Sequence, residues 1–130
     1  MNTKDWFDFS HRVTRDEVLV KTVDGRQDVK MVRGSFNWLA VLFNWIYVLV
    51  TTKYKTPGFA KKFLVIFCAG SAVITLLMLL LGIGIGFIME LAMYAWIGLM
   101  FDTWFKNQLL ANGYHVQTAT EATTQRAKLN

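Results

Sequence analysis

The sequence predicts a mainly α-helical integral membrane protein, built on a transmembrane helical hairpin of about residues 63–81 and 87–105. An aromatic interfacial or re-entrant helix at 36–52 and an N-terminal β-hairpin at 17–32 precede it. Three observations carry this prediction: a 39-residue apolar run with one ionisable side chain, a shorter aromatic segment before it, and an alternating pattern around Asp24-Gly25. The high hydrophobic fraction, 54%, is typical of a small membrane protein.

The β-hairpin is the first element along the chain. Apolar and polar residues alternate on either side of Asp24-Gly25, a pair that favours a two-residue type I′ turn. This turn pairs Val20 with Val29 and Val18 with Met31 on one face, and Lys21 with Asp28 on the other. Because apolar pairs and an ion pair separate onto opposite faces, the register is self-consistent. The hairpin is expected to serve as a docking edge or as a simple cap.

Residues 36–52 form an uncharged segment of 17 residues, which is at the lower limit for crossing a membrane. Its aromatic residues are spread along its length instead of clustering at its ends, and it contains Asn37 and Asn44. These features favour a helix that lies in the interface or dips into it. Because a true span remains an alternative, the distribution of charge is needed to choose between them.

The long apolar run extends from Phe63 to Phe101, which is too long for one span and the right length for two. Gly82, Gly84 and Gly86 near its middle predict the turn, at 82–86. If 36–52 does not cross, all 14 Lys and Arg lie on one side and none lies at this turn. That distribution fits the positive-inside rule, so two spans with both termini in the cytoplasm are favoured.

The predicted organisation has three parts: a cytoplasmic N-terminal segment at 1–35, a membrane domain at 36–112 and a cytoplasmic C-terminal tail at 113–130. The last span continues into an exit helix that stops at Asn112-Gly113. The single cysteine, Cys68, lies within the first span and is expected to be a small apolar packing residue. The chain has a net charge of +5, but it contains no basic run or aromatic-interleaved motif typical of nucleic-acid binding.

Glu90 is the one ionisable residue within the long run, and an acid inside a span is a functional-site hypothesis. With Tyr94 one helical turn away, it is a candidate intramembrane polar site for a proton or ion relay. It lies only four residues past Gly86, so a position near the interface, or a packing role, is the simpler alternative.

Small and basic residues supply the remaining candidate sites. Small side chains let helices approach closely in lipid, and the candidate packing residues are Gly70, Ala92, Ala95 and Gly98. They are expected to close the hairpin on itself, with dimerisation as the alternative. Lysines beside a span attract anionic headgroups, and the candidate lipid contacts are Lys53, Lys55, Lys61 and Lys62.

The segment Phe36-Asn37-Trp38-x-Ala40-x-Leu42-Phe43-x-Trp45-x-Tyr47 is similar to a motif of a widespread family of small uncharacterised bacterial inner-membrane proteins. The resemblance extends from Val32-Arg33-Gly34-Ser35 upstream to Leu109-x-x-x-Gly113-Tyr114 downstream. Asn44 stands where the family often has Gly. The resemblance implies a bacterial or phage origin and an inner-membrane location, and it implies no chemistry.

No catalytic pair, metal-ligand spacing or phosphate loop is visible, so neither enzymatic activity nor a cofactor is expected. The expected function is a small inner-membrane accessory or scaffold protein that acts by anchoring and partner binding. An oligomeric, holin-like pore or a small proton or ion channel using Glu90 is the alternative. Expected partners are the lipid bilayer, with anionic headgroups, and a second copy or another membrane protein.

Overall fold

The computed structural model describes residues 4–118, which form three helices and one small sheet. The helices are α1 (Trp38–Val50), α2 (Phe59–Leu81) and α3 (Ile83–Ala111). The strands are β1 (Glu17–Val23), β2 (Arg26–Val32) and β3 (His115–Val116). The predicted combination of two long apolar helices, a shorter helix before them and a β-hairpin is therefore confirmed.

The β-hairpin has the predicted turn and register. Asp24 and Gly25 have φ angles of 48° and 75°, as a type I′ turn requires. Val20 pairs with Val29, Val18 with Met31 and Lys21 with Asp28. The two-residue β3 was not predicted; it pairs antiparallel with β1 and completes a sheet of order β2-β1-β3.

The α2–α3 hairpin turns at Gly82 alone, which corrects the predicted turn at 82–86. Gly82 has a φ of 96°, a backbone region that favours glycine, whereas Gly84 and Gly86 lie inside α3. Both helices are longer than predicted because α2 begins at Phe59 and the exit helix is continuous with α3. The predicted stop at Asn112-Gly113 is confirmed, since α3 ends at Ala111 and Gly113 has a φ of 88°.

The packed core lies at one end of this hairpin, which we call the hairpin base (residues 54–66 and 97–109). An aromatic cluster fills it, and the rings of Phe101 and Phe105 each lie 4.8 Å from the ring of Tyr54. The N-terminal segment packs against this end: Leu19 and Val32 are fully buried, and the Val13 N–H donates to Thr103 Oγ1 at 3.1 Å. Residues 4–36 therefore cover the base.

The opposite end, which we call the hairpin tip (residues 72–91), is bare. Gly86 is the one buried residue within it, and large apolar side chains such as Leu79 (76%) and Ile83 (80%) are exposed. Only 6% of the most apolar stretch of α2 is buried. Both α2 and α3 are long and apolar enough to cross a membrane.

Helix α1 is broken at Asn44, whose φ of 46° and ψ of −127° are not helical. A helix of 13 residues rises about 20 Å, which is less than the ~30 Å hydrocarbon core of a bilayer. The break turns the chain back, so that Asn37 before α1 and Tyr54 after it are hydrogen-bonded at 3.0 Å. Residues 37–54 therefore leave the hairpin base and return to it.

Candidate functional site

A buried carboxylate, Asp102 on α3, is the centre of a polar cluster at the hairpin base. Its Oδ1 accepts a hydrogen bond from the Tyr54 hydroxyl at 2.9 Å, and its Oδ2 accepts one from the Asn37 side-chain amide at 2.9 Å. Both carboxylate oxygens are thus hydrogen-bonded, as a buried charge requires.

Asn37 is positioned by the start of α1. As the N-cap, its Oδ1 accepts from the Ala40 N–H at 3.0 Å, which leaves its amide nitrogen free to reach Asp102 and Tyr54. Its own N–H donates to the Gly98 carbonyl at 2.9 Å. One side chain therefore caps a helix and joins both ends of the 37–54 segment to α3.

Lys53 lies beside this cluster and is half-buried. Its Nζ donates to the Tyr54 hydroxyl at 3.2 Å and lies 4.9 Å from the centre of the Tyr54 ring. Burial lowers the pKa of Lys53, the Asp102 charge opposes that shift, and the nearby Arg33 charge adds to it. Burial, and then the Asp102 charge, raise the pKa of the Tyr54 phenol, which keeps it a hydrogen-bond donor.

A pocket of about 580 Å³ opens next to the cluster. This volume lies within the usual range of small-molecule and cofactor sites. Its wall combines two cations, one carboxylate, neutral polar groups and aromatic rings: Arg33, Ser35, Phe36, Asn37, Trp38, Leu39, Tyr47, Lys53, Tyr54 and Asp102. We call it the base pocket.

The structure places Glu90 and Tyr94 away from the base pocket. The Tyr94 hydroxyl donates to Glu90 Oε1 at 3.0 Å, and Glu90 is exposed. Glu90 lies 12 residues before Asp102 on α3, or about 18 Å along the helix axis. It lines a separate cleft of about 320 Å³ between α2 and α3, together with Ser71 and Thr75.

The four small residues do not form one packing seam. A Cβ on Gly70 would lie 2.8 Å from Met93 Sδ, so Gly70 permits close approach of α2 and α3. Gly98 instead faces the Phe36 ring before α1, where a Cβ would lie 2.6 Å from Cε2. Ala92 and Ala95 are exposed, so the structure shows neither of them buried at a helix contact.

The four candidate lysines lie in different environments. Lys53 lines the base pocket, whereas Lys55 and Lys61 are exposed. Lys62 is buried and forms an ion pair with Asp5, whose carboxylate also accepts from the Asn107 side-chain amide at 3.3 Å. The expected lipid contact at Lys62 is therefore wrong for this structure, because its ammonium group points into the protein.

The sequence interpretation missed Asp102, Tyr54, Asn37 and Arg33 as one group. Two signals were present: Asp102 ends the uncharged run, and Asn37 stands directly before an apolar helical segment, as an N-cap does. Neither signal shows that the two residues meet, since they are 65 positions apart.

Both oxygens of Asp102 accept a hydrogen bond from a neutral donor within the protein. Within residues 4–118, no group of three or more His, Cys, Asp or Glu side chains is placed to hold a metal ion. Comparison of the chain with models of protein families, with curated proteins and with solved structures finds no match.

Proposed function

We propose that this chain is a multi-pass protein of the bacterial inner membrane, anchored by the α2–α3 hairpin, with an accessory or scaffold role performed by its hairpin base. The observation that carries the proposal is the contrast between the packed base and the bare tip. Burying a Leu or Ile side chain is worth about 1.5–3 kcal/mol, so a bare apolar tip in water would be strongly unfavourable. A bilayer supplies the missing cover.

The spacing of polar groups along the hairpin supports this placement. Asp102 lies 19 residues after Ile83 on α3, and Lys62 lies 19 residues before Leu81 on α2. At 1.5 Å per residue, both lie about 29 Å from the turn, which matches the ~30 Å hydrocarbon core. With the Gly82 turn at one interface, both polar groups lie at the other.

The return of residues 37–54 to the hairpin base supports two spans over three. The exposed side chains of α1 are almost all apolar, as a segment that dips into lipid requires: Trp38, Leu39, Leu42, Phe43, Trp45, Ile46, Leu49 and Val50. Because every Lys and Arg lies outside 63–101, the positive-inside rule orients the base toward the cytoplasm.

The family resemblance fits this proposal. Asn44 occupies the position where members often have Gly, and its φ of 46° belongs to a backbone region that favours glycine. On this proposal, a family member with Gly at that position would share the break in α1, because glycine adopts a positive φ without strain.

Cysteine labelling of the full-length chain tests the topology. In a Cys68→Ser background, cysteines are placed singly at Ser35, Lys55, Gly84 and Thr118. We expect a membrane-impermeant maleimide to label only position 84 from the periplasm, and the other three only after the membrane is permeabilised. Labelling of positions 35 and 55 from opposite sides would exclude the two-span arrangement, and extraction of the protein by carbonate would exclude integration.

A second candidate function, an oligomeric pore or proton channel, rests on Glu90. This acid is exposed on the bare tip beside a cleft that contains Ser71 and Thr75, and an acid facing lipid needs a partner. In this alternative, purified protein in liposomes conducts protons and Glu90→Gln abolishes conduction. Equal flux from liposomes with wild-type protein, Glu90→Gln protein and no protein would eliminate it.

A further inference from the structure

We propose that the base pocket binds the phosphate group of an anionic phospholipid, which Arg33 and Lys53 hold together while an acyl chain lies along α1. This inference rests on the proposed membrane location and adds a ligand class and a site to it. Neither cation has an ion-pair partner among residues 4–118 within 4 Å. Two like charges at one opening repel each other, and an anion between them would relieve that repulsion.

The carboxylates near the pocket do not replace such an anion. Asp102 accepts hydrogen bonds from the Tyr54 hydroxyl and the Asn37 amide, and its charge acts on Lys53 without forming an ion pair within 4 Å. Asp16 also attracts Lys53 electrostatically, but it is exposed, accepts the Gly34 N–H at 2.9 Å and does not line the pocket. The pocket wall therefore carries two positive charges against one negative charge.

The position of the pocket selects a lipid as the source of the phosphate. Asp102 lines the pocket and lies about 29 Å along α3 from the Gly82 turn, at the level of headgroups in the proposed placement. Trp38 and Leu39 belong to the pocket wall and are themselves exposed, at 67% and 48%. They continue into the apolar face of α1, so a headgroup in the pocket places its acyl chains on that face.

Two pocket variants and a matched control distinguish this site from general attraction between lysines and lipid. The pocket variants are Arg33→Gln/Lys53→Gln and Arg33→Gln alone. The single variant changes only an exposed residue of the pocket wall. The control is Lys55→Gln/Lys61→Gln, which removes the same charge from two exposed residues outside the pocket. Native mass spectrometry of the full-length protein, released from micelles that contain equal phosphatidylglycerol and phosphatidylcholine, counts the lipid retained.

We expect the wild type and the control to retain one phosphatidylglycerol in preference to phosphatidylcholine. Each cation near an anionic group contributes about a fivefold change in affinity, so Arg33→Gln lowers retention about fivefold and the double variant about 25-fold. An equal loss in the control, or no loss in the pocket variants, would overturn the proposal.

Competition with soluble glycerol 3-phosphate distinguishes a lipid phosphate from a soluble phosphate as the ligand. If millimolar glycerol 3-phosphate does not displace phosphatidylglycerol, the lipid is supported as the ligand. Displacement would make a soluble phosphate the ligand and overturn the lipid assignment. The cysteine-labelling pattern is measured on the same variants. Normal integration with no lipid preference refutes the pocket alone, and failed integration of the wild type refutes the proposed function.

Discussion

The side-chain amide of Asn37 donates to the hydroxyl of Tyr54 at 3.0 Å, and this contact joins the two ends of a broken helix. The residues between them, including all of α1, therefore form a closed excursion from the hairpin base. In any bilayer placement, two residues in contact lie on the same side. If the α2–α3 hairpin spans a bilayer as proposed, this contact favours re-entry of residues 37–54 over a third span.

Loss of the Tyr54 hydroxyl should lower the stability of the hairpin base. Tyr54→Phe removes one of the donors to the buried Asp102 carboxylate, and a hydrogen bond to a charged group contributes about 1.5–3 kcal/mol. We expect the free energy of unfolding in detergent micelles, measured by denaturant titration, to fall by about that amount. Tyr47→Phe is the control, because the Tyr47 hydroxyl makes no hydrogen bond to another described residue and its ring lies 5.3 Å from that of Tyr54. Equal effects of the two changes would contradict the prediction.

The break in α1 should tolerate glycine and reject alanine at position 44. Asn44 has a φ of 46°, and its amide donates to the Val41 carbonyl at 3.2 Å. Asn44→Gly loses that bond but removes the strain of a positive φ, so stability should change by less than about 1 kcal/mol. Asn44→Ala loses the bond and keeps the strain, which should cost about 1–2 kcal/mol. Denaturant unfolding of both variants checks the order, and a more stable alanine variant would show that the break is not held in solution.

Three glycines of the helical hairpin should respond differently to alanine. A Cβ on Gly84 meets nothing within 4 Å, so Gly84→Ala should gain up to about 1 kcal/mol from helix propensity. The Gly70 Cβ meets only the flexible end of Met93, so Gly70→Ala should be nearly neutral. Gly98→Ala drives a Cβ into the Phe36 ring and should cost about 1–3 kcal/mol. Thermal unfolding of the three variants gives the ranking, and the idea fails if Gly98→Ala is the most stable.

The Tyr114 phenol should ionise at an unusually high pH. Partial burial, followed by its hydrogen bond to the Asp28 carboxylate, raises its pKa from 10.0 to about 12. A folded-state pKa above the unfolded value means that this bond's contribution to stability is complete below pH 10 and is lost as the pH rises toward 12. The difference in absorbance at 295 nm between wild type and Tyr114→Phe should follow the ionisation of the Tyr114 phenol. Asp28→Asn should move this ionisation to lower pH. A Tyr114 step near pH 10 in folded wild-type protein would refute the assignment.

The sequence alone determined the local elements of this protein. The β-hairpin, its turn and its register followed from alternation around Asp24-Gly25, because pairing on a two-residue turn is set by near neighbours. The existence of two long apolar helices followed in the same way from the length of the uncharged run. The end of α3 at Asn112-Gly113 could also be predicted, since a glycine that ends a helix depends only on local backbone geometry.

Contacts between residues distant in the chain were decided only by the tertiary structure. In the sequence Asp102 only ends the uncharged run, whereas the fold brings Asn37 and Tyr54, 65 and 48 positions away, to its carboxylate. Lys62 looked like a lipid-facing lysine until Asp5 was placed against it, 57 positions away. Periodicity reports which face of an element is apolar, but it carries no information on which distant polar group will satisfy a buried charge. That partner is chosen by packing, because the free energy of burying a charge depends on the whole surrounding fold.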